Sequence, residues 1–300
     1  MPSQGCGRLV GMTQQTDWRY IDTHAHLNLS AFADDVDAVI QKCIDEQVAV
    51  INIGTKLSTS TRAVELAEQY EHLYAMVGLH PIQTVQDDHD EEELGEGGQP
   101  FTSKGESFDS ASFRALATSS KKVVGIGECG FDYYHTDPDT YEAQEAAFIA
   151  QIELANELGL PLMIHTRGPK PGAESPTGRS VYQDVYEVLK QYATVPGNVH
   201  FYAGTHEEAK RFFDLGFTIS FTGVVTFATQ YEDIIKQAPL ELMHAETDCP
   251  FVAPEPHRGK RAEPWMVQEV YKKIAAVRGA DVESVRAQLC ANARRAYGLE

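Results

Sequence analysis

The sequence predicts a (β/α)₈ TIM barrel, in which eight parallel strands form the wall and helices surround it. Short β-branched and apolar runs alternate with longer stretches of helical periodicity, and such alternation indicates a parallel sheet. Eight of these units within 300 residues suit one closed barrel. The glycine-rich fingerprint of dinucleotide-binding sheets does not follow the first strand, which disfavours an open doubly wound sheet.

The elements follow from hydrophobic periodicity and from cap residues. We expect strands over residues 20–27, 48–53, 73–79, 123–129, 160–165, 198–202, 217–221 and 241–246. We expect helices over residues 33–47, 58–70, 110–117, 140–158, 181–192, 207–215, 231–238, 263–278 and 282–297. Ser58 is the expected N-cap of the second helix, because serine side chains accept hydrogen bonds from free amide groups at helix starts.

The chain divides into a short leader and one domain. Residues 1–16 are polar and contain glycine, so we expect a disordered leader, with Met12 as an alternative start. Residues 17–300 form the predicted barrel domain. Two segments read as loop insertions, 82–107, which holds the acidic run at 87–96, and 168–178, which is rich in Pro and Gly.

Composition restricts the function classes. The formal net charge of −19 disfavours broad electrostatic coating of nucleic acid, although a local metal site can reverse the potential around it. We expect neither a membrane span nor a signal peptide, because no long apolar run is present. The five cysteines are scattered and form no Cys-x-x-Cys pair, so we expect buried thiols in a reducing compartment. We therefore expect the cytoplasm, and the nucleus is also compatible.

Histidines and carboxylates follow the predicted strands at the end where barrel enzymes carry their chemistry. The candidate metal ligands are His24, His26, Glu128, His165, His200 and Asp248, and His80 follows the third strand. Imidazole and carboxylate groups together suit zinc, manganese or magnesium. Six ligands exceed the needs of one catalytic ion, so we expect two ions bridged by Glu128. Taken singly, each residue also has a structural interpretation as a core histidine, a capping acid or a turn residue.

Five motifs in the chain resemble the TatD family of metal-dependent DNases. They are DTHAHL at 22–27, GLHP at 78–81, GIGECGFDYY at 125–134, IHTR at 164–167 and ETDCP at 246–250. The resemblance spans residues 21–297 and implies a TIM barrel with a two-metal centre that hydrolyses phosphodiesters, typically as a 3′-to-5′ exonuclease. It implies one ion on His24, His26, Glu128 and Asp248, and a second ion on Glu128, His165 and His200. The chain departs from the family pattern after His200 and at Ala262, where asparagine is usual.

The ligand set predicts metal-assisted hydrolysis. The resemblance implies DNA as the substrate, with single strands or 3′ ends preferred, and magnesium or manganese as the ions, with zinc as an alternative. Asp248 is the expected catalytic base, and Glu128 the expected bridge. Arg167 and His80 are the expected substrate contacts, because a cation or imidazole beside the centre suits a phosphate. One alternative is an amidase, lactonase or esterase for a small molecule, since the same centre polarises a carbonyl group. Another is a non-catalytic scaffold that binds a partner.

Overall fold

The computed structural model describes residues 18–86, 88–89 and 101–299. The predicted leader at 1–16 and most of the acidic run at 87–96 lie outside these residues. Within the predicted loop insertion at 82–107, Asp88–His89 pairs antiparallel with Phe101–Thr102, so this insertion contains a short ladder of two strands.

Eight parallel strands form the barrel wall in sequence order, which confirms the predicted fold class. They are β1 (Tyr20–Ala25), β2 (Val48–Ile53), β3 (Leu73–Val77), β4 (Val123–Asp132), β5 (Leu162–Arg167), β6 (Gly197–Val199), β7 (Thr218–Phe221) and β8 (Met243–Ala245). A parallel bridge between Ala25 and Cys249 brings the first strand beside the chain that leaves β8. The carboxyl ends of all strands therefore meet at one rim of a nearly closed barrel.

Helices follow the strands at the predicted places. They are α1 (Val36–Asp45), α2 (Leu57–Gln69), α3 (Ser110–Ala117), α4 (Tyr141–Leu158), α5 (Val181–Tyr192), α6 (His206–Asp214), α7 (Glu232–Gln237), α8 (Val267–Arg278) and α9 (Val282–Tyr297). The prediction of Ser58 as a cap is wrong, because α2 begins one residue earlier. The Thr59 hydroxyl oxygen instead accepts hydrogen bonds from the amides of Thr55 and Lys56, at 2.9 and 3.0 Å.

Strand β4 extends three residues beyond its predicted end, and every residue in it is buried. Helix α4 packs on this strand. The ring of Phe131 stacks on Tyr141 with 5.1 Å between centroids and meets Phe148 edge-on at 5.6 Å. Aromatic pairs in these arrangements add stability beyond the area that they bury. This packing holds the end of β4 rigidly at the rim where the candidate ligands lie.

Candidate metal centre

The first group of ligands lies where β1 ends. The Nε2 atoms of His24 and His26 are 3.1 Å apart, and both side chains are buried. Asp248 approaches from the chain after β8, with Oδ1 at 3.5 Å from His24 Nε2 and 3.3 Å from His26 Nε2. A contact between His26 Nδ1 and the Ile53 carbonyl oxygen, at 2.9 Å, directs the other ring nitrogen towards the site.

Glu128 lies between this group and a second group of imidazoles. Its Oε2 is 3.3 Å from His24 Nε2 and 3.8 Å from His26 Nε2. Its Oε1 is 2.7 Å from both His165 Nδ1 and His200 Nε2. One carboxylate oxygen thus faces each group, so all six predicted ligands converge on one buried region.

His80 also lies in this region. Its Nε2 is 3.2 Å from His165 Nδ1 and 3.4 Å from Glu128 Oε1. The sequence predicts His80 as a substrate contact, and the structure places its ring among the candidate ligands. His80, Glu128 and His165 form one of three clusters of described residues whose ligand atoms are close enough to hold a metal ion.

A close approach of β4 and β5 brings the second group together. Gly130 pairs with His165 in the parallel register. A Cβ atom on Gly130 would lie 2.1 Å from the His165 carbonyl oxygen, and its φ of +139° is a conformation that glycine adopts readily. Glycine at this position therefore permits the strand separation that places His165 beside Glu128.

Acidic side chains behind the ligands are functional candidates that the sequence reasoning missed. Asp132 Oδ2 lies 2.9 Å from His165 Nε2 and 2.8 Å from His135 Nδ1. Such a carboxylate fixes the tautomer and orientation of a metal-binding histidine. The signal was the period of two along a strand, since residues 128 and 132 share one face. The sequence predicts that this strand ends at residue 129, so Asp132 falls outside the predicted strand and its shared face with Glu128 is not evident.

Two further buried carboxylates support the rim. Glu246 Oε1 accepts a hydrogen bond from the Phe201 amide at 2.7 Å and lies 3.5 Å from His200 Nδ1. Asp22 accepts hydrogen bonds from the amides of Thr247 and His24, at 2.9 and 3.2 Å. Asp22 therefore joins the end of β1 to the segment that carries Asp248.

The electrostatics favour charged carboxylates and a neutral imidazole. Burial opposes ionisation of Glu128, but the surrounding imidazoles, that of His200 foremost, hold the pKa of this carboxyl well below its usual value. Burial likewise opposes ionisation of Asp248, and its interaction with His26 keeps the pKa low. Burial lowers the pKa of His80 to about 4, so its imidazole is neutral near pH 7.

The donor set fits divalent metal ions. The Nε2 atoms of His24 and His26 face each other in a buried space beside two carboxylates, and neutral imidazole with carboxylate is the donor combination of zinc and manganese sites. The buried Nδ1 atoms of His24 and His200 have no hydrogen-bond partner among the described residues. Both rings face the shared centre with Nε2, which lies 3.3 Å from Glu128 Oε2 in His24 and 2.7 Å from Glu128 Oε1 in His200.

Arg167 lies outside this cluster, at the end of β5. Its side chain is exposed, and its guanidinium carbon is 4.8 Å from the ring centroid of Tyr134. The structure therefore places the predicted phosphate contact at the rim, two residues beyond His165. This position suits a contact with a ligand that enters from solvent.

The sequence model of the family described as TatD related DNase matches residues 21–298. The chain belongs to the TatD family. This match covers nearly the whole chain and confirms the resemblance carried by the five motifs. The TatD-family fold also agrees with solved structures. The TatD homologue YjjV of Escherichia coli superposes with a TM-score of 0.77 at 25% identity, over 94% of this chain and 99% of that one.

Relatives of this TatD-family chain carry several names. The "uncharacterized metal-dependent hydrolase YabD" of Bacillus subtilis is 34% identical over 93% of this chain and 98% of its own length. The "3'-5' ssDNA/RNA exonuclease TatD" of Klebsiella pneumoniae is 28% identical over 93% of this chain and 98% of its own length. A TatD family hydrolase of Entamoeba histolytica shares the fold, with a TM-score of 0.74 at 21% identity over 94% of this chain and 98% of that one.

Proposed function

We propose that this protein is a metal-dependent hydrolase that cleaves the phosphodiester bonds of single-stranded DNA from the 3′ end, with two divalent ions. The observation that carries the proposal is the position of Glu128. Its Oε2 faces His24 and His26, and its Oε1 faces the second group of histidines. One carboxylate between two nitrogen clusters is the arrangement by which protein sites bridge two ions.

The names of the relatives support both metal-dependent hydrolysis and exonuclease action. Metal-dependent hydrolysis is in the names of YabD and YcfH, which are 34% and 30% identical to the chain. Exonuclease action is in the name of the Klebsiella relative, at 28% identity. The 3′-to-5′ direction of cleavage and the preference for single strands therefore rest on this more distant relative.

The residues of the site have three proposed roles, which are to hold the ions, to transfer a proton and to contact the substrate. His24, His26, Glu128 and Asp248 would hold one ion, and Glu128, His165 and His200 the second. Ions bound there supply positive charge that polarises a phosphoryl oxygen and lowers the pKa of water.

Asp248 is the proposed base. Its carboxylate is at the rim and partly exposed, unlike Glu128, whose side chain is only 3% exposed. Asp248 would take the proton of the attacking water and return it to the leaving 3′ oxygen. Neutral His80 and cationic Arg167 would contact phosphates of the substrate, because both can donate hydrogen bonds to phosphate oxygens.

A gel time course tests the function. Chelator-stripped protein receives single-stranded DNA labelled at the 5′ end, with and without magnesium, manganese or zinc. We expect a ladder that shortens from the 3′ end only when a metal is added, and no ladder with Asp248→Asn. Asp184→Asn is the control, because Asp184 is a buried carboxylate that bonds Tyr133, Thr177 and Arg179 instead of the ligands.

Two results would contradict the proposal. Intact DNA in every lane, with metal bound to the protein, would favour the small-molecule amidase or esterase, which a panel of amides, lactones and esters would then identify. A ladder of equal rate with Asp248→Asn would remove Asp248 from proton transfer and leave the rest of the centre in place.

A further inference from the structure

Two cations share one aromatic ring at the rim beside the metal centre. The Arg167 guanidinium carbon is 4.8 Å from the Tyr134 ring centroid, and the Lys170 ammonium nitrogen is 5.4 Å from it. Each cation gains from the electrons of the ring, and together they make this part of the rim positive. No carboxylate of the described residues forms an ion pair with Arg167. Both side chains can donate hydrogen bonds to a phosphate beside the ring.

The ring is tied to the candidate metal centre by short contacts. The Tyr134 amide donates a hydrogen bond to Asp132 Oδ1 at 2.9 Å. The other oxygen of Asp132 lies 2.9 Å from His165 Nε2. Arg167 stands two residues after His165 on β5, so both side chains leave the strand on the same face. The cation pair is therefore a neighbour of the centre and not part of it.

A cleft of about 190 Å³ opens beside this ring. Its lining includes Tyr134, His135 and Lys170 together with the acidic residues Asp137 and Glu174. This mixture matches a nucleotide unit. A phosphate only accepts hydrogen bonds and suits the cations, whereas the exocyclic amines of bases donate hydrogen bonds and suit carboxylates.

We propose that Tyr134, Arg167 and Lys170 form a second phosphate site, which binds the backbone phosphate on the 5′ side of the bond being cut. The base attached to that phosphate lies in the adjoining cleft. This inference deepens the proposed function and rests on it for the identity of the substrate. It explains how an acidic chain can hold a polyanion, because two clustered cations supply a local positive potential.

The same chemistry occurs elsewhere on the chain and provides a matched control. Lys190 and Arg211 lie 5.6 and 5.9 Å from the ring centroid of Tyr186. Tyr186 and Lys190 are on α5 and Arg211 is on α6, outside the barrel wall and away from the strand ends. A cation pair on a tyrosine therefore does not by itself indicate a phosphate site. The position beside His165 and the cleft distinguish the pair at Tyr134.

Equilibrium binding of deoxycytidine trinucleotides, whose bases carry an exocyclic amine, tests the inference without hydrolysis. In both ligands a methylene group replaces the bridging 3′ oxygen of the last linkage. This replacement keeps the negative charge of that linkage and prevents its cleavage. The ligands differ at the first linkage, on the 5′ side of the last one. One ligand has a normal, charged phosphate there, which we call the inner phosphate, and the other has a neutral methylphosphonate. The manganese-loaded full chain is titrated with each ligand, and the ratio of the two dissociation constants reports the contact with the inner phosphate.

We expect the wild-type protein to bind the charged ligand about 10-fold to 100-fold more tightly, the range for one or two charge-assisted hydrogen bonds. Arg167→Gln should reduce that ratio towards one, and Lys170→Gln should reduce it in part. Arg167→Lys should keep part of the ratio, because it retains the charge but loses the planar donor fork. Lys190→Gln and Arg211→Gln should keep the full ratio.

A wild-type ratio near one would overturn the inference, and so would an Arg167→Gln variant that keeps the wild-type ratio. The outcome is separable from that of the proposed function. A protein that prefers the charged ligand through Arg167 but gives no ladder on the gel would retain the second phosphate site and lose the nuclease. A protein that gives a ladder but shows no preference would retain the nuclease and lose the second phosphate site.

Discussion

Replacing Asp132 with asparagine exchanges one carboxylate oxygen for an amide nitrogen at the point where His165 is held. Burial favours the protonated acid, but contacts with His135 and His165 hold the pKa of Asp132 well below its usual value, so this group is a carboxylate. A carboxylate only accepts hydrogen bonds, which places a proton on His165 Nε2, so Nδ1 is the ring nitrogen that would bind an ion in place of a proton. That Nδ1 atom is 2.7 Å from Glu128 Oε1 and faces the candidate centre.

In the wild-type protein the amides of Tyr134 and His135 donate hydrogen bonds to Asp132 Oδ1, at 2.9 and 2.8 Å. The side-chain oxygen of an asparagine can still accept both of these hydrogen bonds. Its NH₂ group would then face two ring nitrogens and would favour the tautomer with a proton on His165 Nδ1. A protonated Nδ1 cannot bind a metal ion. Changes to carboxylates behind metal ligands cost about 10-fold to 100-fold in affinity, which is about 1.4 to 2.7 kcal/mol at 25 °C.

Titration calorimetry of the chelator-stripped protein with manganese measures this loss. We expect the wild-type protein to bind two ions and Asp132→Asn to bind one of them about 10-fold to 100-fold more weakly. Asp184→Asn is the control, because it removes a carboxylate that accepts three hydrogen bonds close to β4 without touching a candidate ligand. Both variants should lose some stability in urea, and only Asp132→Asn should lose metal affinity.

Unchanged affinities for both ions in Asp132→Asn would refute the argument that Asp132 sets the tautomer of His165. Equal losses of affinity in the two variants would also refute it, because they would indicate a general weakening of the barrel. Such a result would leave the convergence of the ligands intact and would remove only the role of the carboxylate behind them.

Three further predictions concern the centre and the barrel. Glu128→Gln should lower the affinity of both ions, by about 3 kcal/mol or more in total, and abolish turnover; full activity in this variant would eliminate the bridge. Burial lowers the pKa of His244 from 6.5 to about 3, so below pH 6.5 only the unfolded chain binds this proton. The free energy of unfolding should therefore fall by about 2 kcal/mol from this group between pH 7.5 and 5. Urea titrations at both pH values should show a smaller fall in His244→Gln, and an equal fall would contradict the assignment. Gly130→Ala should cost about 3 kcal/mol, because a Cβ atom would lie 2.1 Å from the His165 carbonyl oxygen; an unchanged urea midpoint would show that β5 moves freely.

The barrel was predictable from sequence because its strands are buried on both faces and its helices on one. Runs such as residues 48–53 and 73–77 therefore contrast sharply with the amphipathic stretches between them. Errors occur at the ends of elements. Strand β4 continues to Asp132, and α2 begins before Ser58, because hydrogen bonds to neighbouring strands and to the Thr59 hydroxyl decide where these elements begin and end.

The sequence by itself determined which residue types follow the strands, and hence the six candidate ligands and their common rim. Alternation along a strand shows which side chains share a face, but not how far they lie from those of other strands. Only the tertiary structure decided that His80 lies beside Glu128, that Asp132 holds His165 and that Arg167 stands outside the cluster on Tyr134. These contacts depend on strand register and on the close approach of β4 and β5 at Gly130. Register is a property of paired strands, and a pattern within one strand does not contain it.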